Sequence, residues 1–337
     1  MSTGPTTEGH GLLARLPAGL RERLADTVSQ VAAGGALIVI FVYLSFASPD
    51  FLSSNNLFNV GAQTAVTAII AMGMTLVIIT AGIDLSVGAV AALAGVMGAK
   101  LMSDVGLPVV PAVAGGVLVG ALAGLINGTL IAWAGMAPFI ATLGMMSVAR
   151  GSLDISTNAV AVFGLPNDFQ LLGQGQLGPV PIPVIAIIVV GLIGHFVLTR
   201  TKLGRYSYAI GSNPEAARLS GIPVRLYLTL VYMICGALAG FGGMIAASRV
   251  DSGQPNFGIG LELDVIAAAV IGGASLFGGQ GTIVGTLIGA FLIALIRNGA
   301  VLLNINTFVQ SVVIGIVIWL AVMWDTLRRR KLQARTT

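Results

Sequence analysis

Long apolar stretches separated by short polar segments dominate this chain. A helix needs about 20 apolar residues to cross the hydrocarbon core of a bilayer. Seven stretches reach roughly that length: 30–48, 57–80, 108–133, 180–198, 226–247, 282–303 and 307–324. Three more are shorter or interrupted by glycine: 85–102, 137–150 and 262–277. The pattern predicts an all-α polytopic membrane protein with about ten transmembrane helices, with re-entrant or broken helices as the alternative for the three weaker stretches.

Composition supports a membrane location. Of the 337 residues, 56% are hydrophobic and 9% are charged, whereas a soluble domain carries about 25% charged residues. The 46 glycines favour closely packed helices. The single cysteine, Cys235, excludes an internal disulfide framework. The first apolar run begins near Val31, so it indicates a membrane span and not a cleavable signal peptide.

The positions of the cations predict the topology. Thirteen of the 17 Lys and Arg residues fall in the N-terminal tail, in the segment between the sixth and seventh spans, and after the last span. Positive charge concentrates on the cytoplasmic side of membrane proteins. We therefore expect the chain to lie in the inner membrane with both termini in the cytoplasm. The long connection 151–179 carries Asp154 and Asp168 and should be external. The basic balance is therefore a topology signal, and no nucleic-acid partner is expected.

Three regions follow from this pattern. Residues 1–29 form a cytoplasmic tail whose segment 12–29 suits an amphipathic helix on the lipid surface. Residues 30–325 form the transmembrane domain, and residues 326–337 form a basic cytoplasmic tail.

An internal repeat relates spans 2–5 to spans 7–10. The run GIDLSV at 82–87 recurs as GLELDV at 260–265, and VGALAG at 119–124 recurs as VGTLIG at 284–289. This register pairs Asp84 with Glu262 and Gly120 with Gly285. Because the displacement is five spans, the two halves must have opposite orientations, which is the inverted repeat of many transporters, with the solute route between the halves.

The sequence lacks the usual catalytic patterns. The glycine-rich run 272–281 has no Gly-Lys-Ser/Thr ending and cannot form a standard phosphate-binding loop. His10 and His195 lie far apart, and no zinc-ligand spacing or nucleophile elbow occurs. We expect no catalytic residue, no metal site and no ATPase site on this chain.

Polar residues within or beside the apolar runs are candidates for function, because a charge in the bilayer usually faces protein or water. Asp264 and the pair Arg297-Asn298 belong to this group. Asp84 and Glu262 could instead be acids at helix N-termini, and Asn127 and Asn298 could tie helices together. Six residues are candidates to line a translocation path: Asp84, Ser86, Asn127, Thr142, Glu262 and Asn298.

The most basic internal segment contains a short, well-delimited helix. Ser212 or Asn213 can cap its start, Pro214 suits the first turn, and Gly221 can end it. A helix of about two turns is marginal without a surface to dock on. From the residues alone, a capped loop helix and a partner-docking helix are equally compatible with this pattern.

Several runs closely resemble the membrane subunits of ribose-type sugar ABC importers, with branched-chain amino-acid permeases as more distant relatives. The matching runs are TAGIDLSVG at 80–88, PFIATLG at 138–144, GSNPEAARLSGI at 211–222 and GGASLFGGQGT at 272–282. They cover most of 57–325 in order.

The resemblance implies a permease that dimerises, with the solute route at the shared interface. It also implies a cytoplasmic ATPase subunit that uses ATP and Mg²⁺, and an external solute-binding protein. It further implies that 212–222 is the coupling helix, whose contact residues would be Ser212, Asn213, Pro214, Glu215, Ala216, Ala217, Arg218 and Leu219. The expected function is import of a monosaccharide or related small polar solute, and the alternative is an ion-gradient-driven secondary transporter. The sequence leaves pentoses, hexoses and polyols open.

Overall fold

The computed structural model describes residues 18–333. They form a bundle of helices with one short hairpin, whose two strands have two residues each. The helices are α1 Ala18–Ala47, α2 Ser54–Ile79, α3 Val87–Ser103, α4 Val109–Ala132, α5 Pro138–Thr157, α6 Gln170–Gln174, α7 Ile182–Arg200, α8 Lys202–Ser212, α9 Pro214–Leu219, α10 Val224–Arg249, α11 Leu261–Ile271, α12 Ile283–Leu302 and α13 Thr307–Gln333. A 3-10 turn occupies Asn167–Phe169, and strands β1 Gln176–Leu177 and β2 Val180–Pro181 pair antiparallel.

Each of the ten predicted spans overlaps one of these helices. Among the described residues, five helices are long and apolar enough to cross a membrane: α2, α4, α7, α10 and α12. The predicted stretch 262–277 is helical only as far as Ile271, because the backbone turns at Gly272 and at Gly273, whose φ is 96°. The predicted 1–29 tail lies outside the described residues up to position 17, and α1 then runs unbroken from Ala18 across the predicted boundary. The end of the predicted basic tail, 334–337, also lies outside them.

Two central helices, α2 and α10, hold the bundle together. Helix α2 is buried over most of its length and packs against α7, α10, α11 and α12. Helix α10 packs against α2, α3 and α4. Gly120 of α4 lies so close to α10 that an added Cβ would be 2.8 Å from Gly240 Cα. Glycine is therefore required there for the two backbones to approach.

The connections meet at two ends of the bundle. At one end, the segment after α5 contacts the segment after α10, through backbone hydrogen bonds between Val162 and Gly253 and a 3.0 Å bond from Gln170 Nε2 to Asp251 Oδ2. At the other end, Gly279 N donates to Ile79 O at the close of α2. The cation-rich segment α8–α9 belongs to this second end, because the Tyr208 hydroxyl donates to Gly281 O.

The two halves of the chain repeat each other in the way their helices end. Helices α2 and α10 each have 26 residues and end in the same turn. Ala81 and Asp251 both have positive φ, 61° and 52°, two residues after the last helical residue. The amides of Thr80, Ala81 and Gly82 bond to carbonyls of Leu76, Ile78 and Val77, and those of Val250, Asp251 and Ser252 bond to Ala246, Ser248 and Ala247. At these turns, the second half therefore follows the first at a displacement of 170 positions.

This register corrects the one expected from the sequence. Asp84 lies in the loop before α3, whereas Glu262 is inside the first turn of α11. Gly120 lies in the middle of α4, whereas Gly285 is in the first turn of α12. The matched runs are short and apolar, and such runs recur in membrane helices without occupying equivalent places. The residue pairs Asp84–Glu262 and Gly120–Gly285 therefore do not hold, and the correspondence of spans 2–5 with spans 7–10 stays a prediction.

Candidate functional site

A cavity of about 500 Å³ lies between the two halves of the chain. Its walls come from α2, α3, α10, α11 and α12 and from the segment that joins α10 to α11. Small residues line one side, where Gly95 of α3 faces Gly243 of α10. The polar residues of the lining are Gln63, Thr64, Thr67, Arg249, Ser252, Gln254, Asn256, Asp264 and Arg297. The bundle thus holds a polar chamber within otherwise apolar helices.

An ion pair lies in the wall of this chamber. Arg297 Nη2 of α12 donates to Asp264 Oδ1 at 2.8 Å and to Oδ2 at 2.7 Å. The Asp264 side chain is 11% exposed and that of Arg297 is 33% exposed. Position in the first turn of α11 favours the carboxylate, because the positive end of the helix dipole lies there. The Nε of Arg297 is buried without a hydrogen-bond partner in the described part of the chain. One donor of the pair therefore remains unused.

A second polar cluster lies outside the cavity, at the start of α3. Asp84 is 1% exposed, and its Oδ1 accepts from Ser86 N at 2.9 Å and from Ser86 Oγ at 2.6 Å. Asn127 Nδ2 of α4 donates to Ser86 Oγ at 3.0 Å. Asn127 Oδ1 has no partner among the described residues. The cluster joins the α2–α3 loop to α4.

The remaining candidates from the sequence also lie away from the cavity lining. Thr142 is buried, and its hydroxyl donates to Pro138 O within α5 at 2.9 Å. Glu262 faces the start of α3, where an added Cβ at Gly88 would lie 2.7 Å from Glu262 Oε2. Asn298 exchanges two hydrogen bonds with Asn56, of 2.7 and 3.1 Å, and thereby ties α12 to α2.

The cavity is instead built from residues that the sequence analysis did not select. In the sequence, Asp264 and Arg297 stand out as charges in apolar runs, but they were not among the residues expected to line the path. Gln63, Gln254 and Asn256 were missed altogether. An Asp and an Arg in separate apolar runs are a signal for a pair, because a lone buried charge is too costly, and that argument would have joined them.

The predicted coupling segment forms a capped, exposed helix that is shorter than expected. Helix α9 covers Pro214–Leu219, while Ser212 ends α8. Asn213 Oδ1 accepts from the amides of Glu215 and Ala216 at 3.1 and 2.9 Å, which is a standard N-cap. Gly221, with φ of 82°, follows the helix end.

The exposed surface of α9 carries an ion pair and two apolar side chains. Arg218 Nη2 lies 2.5 Å from Glu215 Oε1, and this hydrogen bond lowers the pKa of the Glu215 carboxyl. Leu219 is 76% exposed, and Ala216 is exposed as well, whereas Ala217 is buried against the chain. An exposed leucine beside an exposed alanine leaves an unoccupied apolar patch on this end of the bundle.

Helix α9 is connected to the transmembrane helices by close backbone contacts. Gly211, just before it, packs on Ile79 O at the end of α2 and on Gly279 N. Asp84 and Ser86 follow in the loop after α2. The end of α8, which leads into α9, is therefore in direct contact with the end of α2.

The chain matches known proteins over most of its length. Residues 56–322 match the family described as branched-chain amino acid transport system / permease component. The ribose import permease protein RbsC of Escherichia coli K12 is 45% identical over 294 residues, which cover 86% of this chain and 91% of that protein. The chain belongs to the ribose-type permeases of ABC importers.

Other members of this permease family are similarly close. The D-allose transport system permease protein AlsC of Escherichia coli K12 is 41% identical over 86% of this chain and 89% of its own length. The L-arabinose permease AraH of Azospirillum brasilense is 38% identical over 88% and 87%. No solved structure matches the chain. Membership and the apolar helices together make the chain a multi-pass membrane protein of a transport system.

Proposed function

We propose that this chain is the membrane-spanning permease subunit of an ABC importer that carries a monosaccharide into the cell, powered by a separate ATPase. The observation that carries the proposal is the similarity, at 38–45% identity over nearly whole chains, to permeases whose names specify ribose, D-allose and L-arabinose. These names cover both five- and six-carbon sugars, so a monosaccharide or a related small polar solute is the substrate class.

The partners follow from the proposed role. A cytoplasmic ATPase, which uses ATP and Mg²⁺, docks on α9. This assignment is supported by the exposure of Ala216 and Leu219 and by the contact of the preceding Gly211 with α2. An external solute-binding protein delivers the sugar at the opposite end, and a second permease chain completes a homodimer.

The proposed topology has ten membrane-embedded helices, with both termini in the cytoplasm and the two halves related as an inverted repeat. Helix contacts support the repeat. Helix α10 packs on α3 and α4, and its counterpart α2 packs on α11 and α12. Likewise α3 packs on α4 and α5, and α11 packs on α12 and α13. Each half therefore packs against the other through equivalent pairs of helices.

The cavity is the proposed place where the solute enters the membrane domain. In secondary transporters built from inverted repeats, the substrate site lies at the interface of the repeats, and this cavity has a similar position. The sequence offers two locations for the solute route, between the two halves of the chain and at the interface of two permease chains, and labelling can separate them. Ala294→Cys places a thiol in the cavity lining, whereas Val148→Cys places one on the exposed face of α5. A thiol reagent should block uptake through the Ala294→Cys variant and spare the Val148→Cys variant. Unchanged uptake by modified Ala294→Cys permease would contradict a route through the cavity.

The assembly itself provides the test of the proposal. The permease should copurify with the ATPase subunit as a complex whose mass contains two permease chains. ATP hydrolysis by that complex should rise when the sugar-loaded binding protein is added. A single permease chain in an active complex, or hydrolysis indifferent to the binding protein, would contradict the proposed assembly.

A further inference from the structure

Three cations cluster at the corner where α7 meets α8. Arg200 ends α7, Lys202 opens α8, and Arg205 follows one turn later. We propose that this corner binds the phosphate headgroup of an anionic phospholipid, whose acyl chains lie along an exposed apolar face of α7. The inference rests on the proposed function only in placing the corner at the cytoplasmic side of the membrane, and it adds a lipid to the partners of the permease.

The corner is held by close contacts between the two helices. Only Thr201 separates them, and its hydroxyl donates to Val197 O at 2.6 Å. Gly204 packs against the end of α7, where an added Cβ would lie 2.6 Å from Leu198 Cα. Helix α8 therefore folds back closely on α7, and the three cations stay together at one fixed corner.

The cations at this corner are exposed and without an acidic partner. Lys202 and Arg205 lie three residues apart, which places them on one side of α8. The opposite side of α8 is buried against the bundle through Ser207 and Ile210. None of the three cations forms an ion pair in the described part of the chain. Their charge is therefore available to an anionic partner.

An exposed apolar face of α7 leads directly to the corner. Ile193 and Phe196 are 59% and 60% exposed, and Arg200 follows them by seven and four residues. Residues at these spacings lie on one face of a helix. Cations at the end of an apolar face match a phospholipid, with its phosphate on the cations and its chains on the apolar side chains. A free phosphate would use the cations alone.

The same geometry favours a lipid over the ATPase as the occupant. Helix α7 is long and apolar enough to cross a membrane, and its exposed apolar face must then lie in lipid. Arg200 belongs to that face, whereas the proposed docking site of the ATPase is on α9. Because α8 leads into α9, a bound lipid would hold the docking helix at a fixed depth relative to the bilayer.

The test measures lipid contact with the purified full-length permease in nanodiscs. Leu192→Cys, at a position 67% exposed beside the apolar face, carries a fluorophore. Phosphatidylglycerol and phosphatidylcholine, each with brominated acyl chains and at equal mole fraction, compete to quench it. The test variant neutralises the corner by Arg200→Gln, Lys202→Gln and Arg205→Gln. The matched control removes the same charge from the C-terminal tail by Arg328→Gln, Arg329→Gln and Arg330→Gln.

We expect the unmodified permease and the tail control to prefer phosphatidylglycerol by about fivefold or more at low salt, the factor that one cation near an anionic surface provides. The preference should fall as salt is added and approach one in the corner variant. Arg200→Lys with Arg205→Lys keeps the charge and should retain most of the preference. No sugar or partner protein takes part, so the outcome does not depend on the proposed substrate.

Two results would overturn the inference. An unchanged preference in the corner variant would show that these cations do not hold the lipid. An equal loss in the tail control would show that positive charge acts over the whole face and not at this corner. Copurification with the ATPase serves as a second readout, and a corner variant that keeps its lipid preference but no longer binds the ATPase would assign the corner to that subunit.

Discussion

Asn127 and Arg297 occupy equivalent places in the two halves of the chain. Each lies five residues before the last residue of its helix, Ala132 in α4 and Leu302 in α12. Each donates a hydrogen bond near the beginning of the preceding helix, Asn127 to Ser86 just before α3 and Arg297 to Asp264 in the first turn of α11. One contact is closed and buried, and the other lines a cavity. Equivalent positions in the two halves therefore lie in different environments, Asn127 in a buried contact and Arg297 in the cavity wall.

This equivalence predicts the symmetry of the molecule. In an experimental structure, α2–α5 should superpose on α10–α13 by a rotation about an axis in the membrane plane. The superposition should bring Ala81 onto Asp251 and Asn127 onto Arg297. A rotation about the membrane normal, or a best fit that pairs Asp84 with Glu262, would contradict the account.

The Asp84 cluster should stabilise the fold. Asp84→Ala leaves the Ser86 amide and hydroxyl without their acceptor, and one unsatisfied buried group costs about 1–3 kcal/mol. Asp84→Asn retains an acceptor and should cost less. Thermal unfolding of the purified permease measures both. Ser147→Ala, on the exposed face of α5, is the control and should change stability by less than about 0.5 kcal/mol. An Asp84→Ala protein as stable as this control would show that the cluster does not stabilise the fold.

Helix α9 should transmit ATP hydrolysis to the membrane helices. Because Ala216 is exposed, Ala216→Trp should leave membrane insertion intact but clash with a docked ATPase. Glu215→Lys should act similarly by reversing charge beside Arg218. In both variants, the loaded binding protein should no longer stimulate ATPase activity, and uptake should fall. Asp154→Lys, at the opposite end of the bundle, is the charge-reversal control for copurification with the ATPase, a readout in which the binding protein takes no part. Normal stimulation of ATPase activity in both α9 variants would show that α9 does not couple the ATPase to the membrane helices.

The topology can be tested with two single thiols. Val160→Cys, in the exposed segment after α5, should react with an impermeant reagent from outside the cell. Arg330→Cys should react only after the cytoplasmic side is opened. Reaction of position 330 from outside, or of both positions from one side, would contradict the proposed orientation.

The sequence predicted the helices well because bilayer crossing demands long apolar runs, and each run became a helix. It also located α9 from the cap at Asn213 and the turn at Gly221. The residue register of the internal repeat was harder to predict from the sequence. The repeat resides in helix ends and backbone turns such as Ala81 and Asp251, whose side chains differ, so residue identity does not reveal it.

The cavity was also hard to predict because its residues converge from distant helices. Gln63 and Arg297 are separated by most of the chain and meet only when α2 packs on α12. The six residues selected from the sequence lie outside the cavity lining, and their place on a translocation path stays a prediction. Asn298, for example, bonds to Asn56 in the manner of an interhelical tie. Polarity in an apolar run marks a buried contact, and only the packing tells whether that contact faces a chamber.

Sugar uptake by reconstituted vesicles is the most direct test of the central claim. The permease is placed in sealed vesicles with its ATPase subunit, the binding protein is added outside, and ribose, allose or arabinose is supplied at saturation. The account predicts accumulation of at least one of these sugars that requires ATP and the binding protein and persists when ion gradients are collapsed. Uptake that continues without ATP and stops when the proton or sodium gradient is removed would contradict it.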